Sequence, residues 1–178
     1  MDNKVATTDP QEEVFDIVNT NDVVVGQATR KEAHENPNLT HRVVHIWITN
    51  KDGEVLIQQR SLTKDKLPGY WDISCAGHVQ KGFSVLETAE RELTEELGIS
   101  ADCKFIKKYL LTQPDQSEMV NVFYAVHEGP FNFSKEEIST VKFFSKAEVQ
   151  KLIRSNKKVS PFCTTEIPMV YNFLNTNG

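Results

Sequence analysis

Apolar residues come in short alternating bursts along most of this chain, separated by turn residues, and only a few stretches carry a helical period. Glu13–Val18 and Asp22–Ala28 are rich in β-formers and flank Asn19-Thr20-Asn21, which predicts a first hairpin. Arg30–Thr40 is polar, contains Asn36-Pro37, and reads as a loop with room for one helical turn. Val43–Thr49 and Glu54–Arg60 flank Asn50-Lys51-Asp52-Gly53, whose Asp-Gly pair predicts a second hairpin. A loop with Lys64, Lys66 and Pro68-Gly69 leads to a strand over Tyr70–Ser74, and further strands follow at Phe105–Thr112, Met119–His127 and Thr140–Phe144. The period changes at Ser84–Leu97. Ser84 with Glu87 forms a capping box, Leu86, Ala89, Leu93 and Leu97 make an apolar stripe, and Gly98 ends the helix. Ser145 with Glu148 starts another helix to Arg154, and Thr165–Asn175 reads as a C-terminal helix with Pro168 in its first turn.

The chain has 178 residues, 39% apolar and 25% charged, which fits one globular domain and leaves no room for two of ordinary size. The expected division is a flexible N-terminal extension over 1–12 and a single domain over 13–178. Cys75, Cys103 and Cys163 are odd in number, lie far apart and form no C-x-x-C pair, which argues against a disulfide framework or a cysteine zinc site. Met1–Gln11 lacks the apolar centre of a signal peptide, and no stretch approaches the roughly 18 apolar residues of a membrane span, so a cytoplasmic protein without membrane partners is expected. A net charge of −5 disfavours a broad duplex-binding face but allows a local basic site for a phosphorylated small molecule.

The helix over Ser84–Leu97 carries an electrostatic conflict. At helical pitch Glu92, Glu95 and Glu96 fall within about 100° of arc beside the apolar stripe. Like charges at these spacings are destabilising, and Glu95 and Glu96 also sit in the last turn, where the helix dipole disfavours them. Arg91 alone offsets them locally, paired with Glu95 in the weaker orientation. A solvated acidic face would account for the cluster; a bound hard cation would turn each of those terms favourable. Oxygen ligands suit Mg²⁺ or Mn²⁺, and the preceding loop Ala76–Gly82 has two glycines that allow close approach of backbone to a ligand.

Gly77–Ile99 resembles the Nudix box, G-x5-E-x7-R-E-U-x-E-E-x-G-U with U aliphatic. Gly77, Arg91, Glu92, Leu93, Glu95, Glu96, Gly98 and Ile99 fall at the required positions, and Phe83 stands where the family usually has its first Glu. The resemblance implies an α+β Nudix fold, a mixed β-sheet sandwiched between helices, in which Glu92, Glu95 and Glu96 ligate Mg²⁺, with Mn²⁺ able to substitute, and Arg91 orients the carboxylates. It also implies a small-molecule diphosphate substrate, because carboxylate-held metals relieve phosphoryl charge and supply a nucleophilic water. Glu136 and Glu137 resemble the late acidic loop of these enzymes, with Glu137 the candidate base; capping of a turn would account for either.

From Val14 to Phe144, and above all at His41–His45, Leu56–Ser61 and Pro68–Trp71, the chain is similar to the branch that includes isopentenyl-diphosphate isomerase. That likeness implies a metal on His34, His41 and His78 with help from Glu118, and substrate contact from Arg60, Lys64, Gly77 and His78. As surface or turn residues these would need no ligand. Ala76 stands at the isomerase's catalytic cysteine, Gln116 at a second metal glutamate, and Cys75 is one residue out of register, which favours hydrolysis over isomerisation. The expectation is therefore a Mg²⁺-dependent hydrolase of a nucleoside diphosphate linked to another moiety, or of a related diphosphate. An isomerase and a catalytically weak Nudix-fold binder are the alternatives. Trp47 and Trp71 are expected in the core, and a homodimer is compatible with the sequence.

Overall fold

A computed structural model describes residues 10–64, 66–155 and 157–177; of the expected 1–12 extension, residues 1–9 lie outside the described residues. Strands β1 (Val14–Val18) and β2 (Val24–Thr29) form the first hairpin. The hub is β3 (Thr40–Thr49), which runs parallel to β8 (Ser117–Val126) along its whole length. On its other edge β3 pairs antiparallel with β6 (Cys75–His78), and it touches β1 at His41 and β4 (Val55–Arg60) at Thr49. Strand β4 carries β5 (Trp71–Asp72) and β9 (Ile138–Phe144), while β7 (Lys104–Thr112) flanks β8. Among the described residues these strands make one mixed sheet.

Alternation along β3 explains the layers. Val44, Ile46 and Ile48 face one way and pack with Ala89, Leu93 and Leu97 of α2 (Val85–Leu97). Val43 and Trp47 face the other way, towards Val149 and Leu152 of α3 (Lys146–Ile153) and Ile167 and Val170 of α4 (Pro161–Asn177). A buried sheet with apolar side chains on both faces needs a helical layer on each. The Ser84 and Ser145 capping boxes form as the spacing requires, and Gly98 ends α2 at φ 64°.

Two local expectations change, and the helical turn expected after β2 forms. The strand expected over Tyr70–Ser74 is split, because Ser74 interrupts the ladder: its hydroxyl accepts from Ile48 N–H at 2.9 Å and donates to the Leu56 carbonyl at 2.6 Å. The chain thereby switches from pairing with β4 to pairing with β3. The loop before β3 opens on α1 (Arg30–His34), capped by Thr29 and Glu32. Helix α4 begins at Pro161, not Thr165, with Ser160 ahead of it as a polar cap, so that Pro168 falls in the helix interior. Trp47 is fully buried and Trp71 partly so.

Candidate active site

Helix α2 presents its carboxylates to the turn of β6 and to the loop before β9. Gly77 is the residue that allows this: a Cβ there would lie 2.2 Å from Glu92 Cδ, so any side chain would expel the carboxylate. Glu92 is mostly covered, and burial raises its pKa to about 7, against the Arg91 guanidinium 3.2 Å away. Glu96 is pushed up to about 8, first by burial and then by the charges of Glu92 and Glu137. Its Oε2 is buried without a hydrogen-bond partner among the described residues. Glu95 stays exposed at the rim, 3.7 Å from Arg91 Nε.

Two loops close on this helix end. Ser134 N–H and Asn132 N–H donate to the Glu96 and Leu97 carbonyls, and Ser61 N–H donates to the Glu137 carbonyl. Lys64 Nζ then reaches the Glu137 carboxylate at 2.6 Å and is almost wholly covered. The structure thus brings together Glu92, Glu96, Glu137 and Lys64, residues far apart in sequence. Arg60 is tied to Asp72 at 3.5 Å and to the Lys66 carbonyl at 3.0 Å. Glu136 contributes its carbonyl to Thr63.

Alternation along β6 separates the remaining candidates. Cys75 and Gly77 face α2, whereas Ala76 and His78 face the opposite side. His78 sits between Arg30 and His34, each at 3.0 Å, and stacks on Phe15. The fully buried His41 completes the cluster, and burial lowers its pKa to about 4. One ligand nitrogen from each of these three histidines lies within 4.8 Å of the others. Glu118 Oε1 is 4.0 Å from His41 and accepts from Gln116 Nε2 at 3.0 Å.

The family profile described as NUDIX domain matches residues 39–163. The chain belongs to the Nudix hydrolase family. It is similar to an uncharacterised Nudix hydrolase of Listeria monocytogenes, 31% identical over 84% of this chain and 89% of that protein. It is also similar to an isopentenyl-diphosphate Delta-isomerase of Streptomyces avermitilis, 30% identical over 76% and 73% of the two chains. Among solved structures, DR0079 of Deinococcus radiodurans has the same fold, with a TM-score of 0.77, 24% identity, and coverage of 88% of this chain and 98% of that one. No helix among the described residues is long and apolar enough to cross a membrane.

Within the Nudix box the departure at Phe83 has a structural counterpart. The Arg91 guanidinium carbon lies over the Phe83 ring, 5.0 Å from its centroid. An aromatic face thus meets Arg91 from the position where the motif has a carboxylate. Sequence reasoning missed this contact because Phe83 reads as the residue ahead of a helix cap. It also missed a buried network on the far face: Glu166 accepts from His45 Nδ1 and Trp47 Nε1, both at 2.7 Å, and from the Tyr109 hydroxyl at 2.5 Å. No signal marked that one, since Glu166 lies between Thr165 and Ile167 in a helix that the sequence pattern starts too late.

Proposed function

We propose that the chain is a Mg²⁺-dependent diphosphohydrolase, with Mn²⁺ able to substitute, acting on a nucleoside diphosphate linked to another moiety or on a related small-molecule diphosphate. The observation that carries the reading is Glu96 Oε2, a buried acceptor with no partner among the described residues, crowded by Glu92 and Glu137. An acceptor so placed costs on the order of 1–3 kcal/mol unless a ligand satisfies it. Glu92, Glu95 and Glu96 are an all-oxygen donor set of the kind hard divalent cations take. Bound there, the ion would offset diphosphate charge and activate water.

The chain's own residues do the rest. Arg91, between Glu92 and Glu95, sets the direction of both carboxylates. Gly77 makes the space in which Glu92 stands. Lys64 and Arg60 bring positive charge to the loops that face the helix end, where phosphate oxygens would lie. Glu137, held by Lys64, is positioned to take a proton from water entering beside Glu96.

The test is a panel of nucleoside-diphosphate conjugates and isoprenoid diphosphates, assayed for phosphoanhydride cleavage with Mg²⁺, with Mn²⁺ and with excess EDTA. Cleavage that EDTA abolishes is expected. Undiminished turnover in chelator, or allylic isomer from isopentenyl diphosphate as the main product, overturns the reading.

A further inference from the structure

The imidazole cluster on the far side of β6 has spacings that would admit a metal ion, yet its hydrogen bonds run the wrong way for one. Arg30 Nη1 is 3.0 Å from His78 Nδ1, and His78 Nε2 is 3.0 Å from His34 Nε2. A guanidinium has donors only and keeps its charge. Nδ1 of His78 therefore accepts, its proton sits on Nε2, and that proton is donated to the lone pair of His34 Nε2. Both nitrogens that a metal would need from these two rings are occupied.

Ligating histidines ordinarily donate their other ring N–H to a carboxylate, a carbonyl or water, which fixes the ring and strengthens the ligand. At His78 that outer partner is a cation. To bind a metal through Nε2, His78 would have to move its proton to Nδ1, directly against the Arg30 N–H groups. The charge balance adds to this. Among the described residues Glu118 is the carboxylate paired with His41, its neighbour Gln116 is neutral, and the charges of His45, Lys66 and Arg30 already act on Glu118. Among the described residues His41, whose two ring nitrogens are buried without hydrogen-bond partners, is the ring of the three whose nitrogens are left open to an ion. One open ligand does not make a site for a borderline metal that wants three or four.

We infer that Arg30 closes the His34–His41–His78 cluster to metal ions, so that this chain keeps His34 and His78 as a hydrogen-bonded pair beside His41 and not as ligands. The inference does not rest on the hydrolase reading, because its test reads metal uptake and proton position and not turnover.

Co²⁺ is titrated into the full chain by visible absorption, with excess Mg²⁺ present to occupy oxygen sites. The native protein should show no tetrahedral Co²⁺ spectrum that depends on His41. Arg30→Gln, whose amide oxygen can accept from Nδ1–H, should bind Co²⁺ at least tenfold more tightly, and adding His41→Ala should remove the gain. Nitrogen-15 imidazole NMR of the native chain should report His78 protonated at Nε2, which keeps the inference testable if Arg30→Gln does not fold. An Nδ1–H tautomer, His41-dependent Co²⁺ uptake by the native chain, or a folded Arg30→Gln without gain would each overturn it.

Discussion

Two groups of buried charge lie on opposite faces of the same sheet, and they are organised by opposite rules. Around Glu166 the charges are complementary and each acceptor is used: burial alone would raise its pKa, but His45, Tyr109 and Trp47 outweigh burial and hold it below the usual range. His45 in turn is raised, because the Glu166 carboxylate outweighs its own desolvation. Around Glu96 burial and the like charges of Glu92 and Glu137 outweigh Cys75 and Lys64, and among the described residues one oxygen is left without a partner. Burial of ionisable groups is therefore not what marks a site. The network that satisfies itself holds α4 to the sheet; the cluster that cannot do so is the one that calls for a ligand.

Neutralising one carboxylate in each group should break that comparison most visibly. Glu96→Gln keeps the shape and relieves repulsion, so turnover should fall by orders of magnitude while the metal-free protein melts no lower than the parent. Glu166→Gln leaves His45 without its counter-charge, and loss of one member of a buried pair costs about 3–5 kcal/mol. Thermal melts and turnover of both variants check this. A Glu166→Gln protein that melts like the parent but has lost activity would mean that the far-face network belongs to the reaction.

The pH dependence of stability comes next in size. Glu92 and Glu96 have folded pKa values of about 7 and about 8, above the unfolded 4.5. Between 4.5 and 8 these two groups bind more protons in the folded chain than in the unfolded one, each lowering stability by about 1.4 kcal/mol per pH unit while it is protonated only in the folded state; below 6.5 His41 and His78, whose pKa values burial lowers, bind fewer protons folded than unfolded and offset that slope, so the net fall lies above 6.5. Metal-free protein should accordingly melt lower at pH 8 than at pH 6.5, and Mg²⁺ should flatten the slope by binding the ionised carboxylates. Of the far-face pair, His45 adds to the fall, because its raised pKa gives a contribution that is lost as it deprotonates in base, whereas Glu166 opposes it only in acid, where its contribution is lost as the carboxylate protonates. A flat metal-free profile between pH 6.5 and pH 8 would contradict the description of α2 as carrying buried carboxylates of raised pKa.

These two regions also show what was legible in the sequence. Glu92, Glu95 and Glu96 were readable because all three lie on one helix whose pitch is known, and the Ser84 box and Gly98 fixed its ends. The hairpins were readable from Asp52-Gly53 and Asn19–Asn21. The contact of Lys64 with Glu137 was readable only as two separate residues, since it depends on β4 carrying β9. The break at Ser74 depends on a hydroxyl bridging β3 and β4, which no periodicity records. Glu166 and Arg30 were invisible for the same reason: their partners His45 and His78 lie on strands brought near by topology, and a single charged residue at the margin of an apolar helix or loop has no pattern of its own.

Phe83 offers a smaller and sharper test of the α2 side. An exposed cation–π contact is worth about 0.5–1 kcal/mol, so Phe83→Ala should lower turnover by two- to fivefold through a looser Arg91. Phe83→Tyr should retain parental rates, and Phe83→Glu should exchange the aromatic contact for an ion pair and stay within about threefold of the parent. Steady-state kinetics separate the cases, with the effect expected in kcat and not in KM. A gain of tenfold or more in Phe83→Glu would show that the ring is a defect in this chain's catalyst.

The smallest effect is expected at Cys75, and it decides between hydrolysis and isomerisation. The thiol lies beneath Glu96 on the α2 side of β6, fully buried, and burial together with the Glu96 and Glu92 charges pushes its pKa well above the ordinary 9.0. It is therefore a neutral hydrogen-bond neighbour of Glu96 and not a thiolate nucleophile. Ala76, at the position matching the isomerase cysteine, faces the other layer and has no group to offer. Cys75→Ala removes one sulfur from a packed core and one weak donor from Glu96, for about 1 kcal/mol of stability. Turnover should stay within about twofold of the parent, and neither protein should convert isopentenyl diphosphate to its allylic isomer. Isomerisation by the native chain that vanishes in Cys75→Ala would show that the thiol reaches substrate across the strand, and the separation of the two faces of β6 would then be the wrong basis for choosing between hydrolysis and isomerisation.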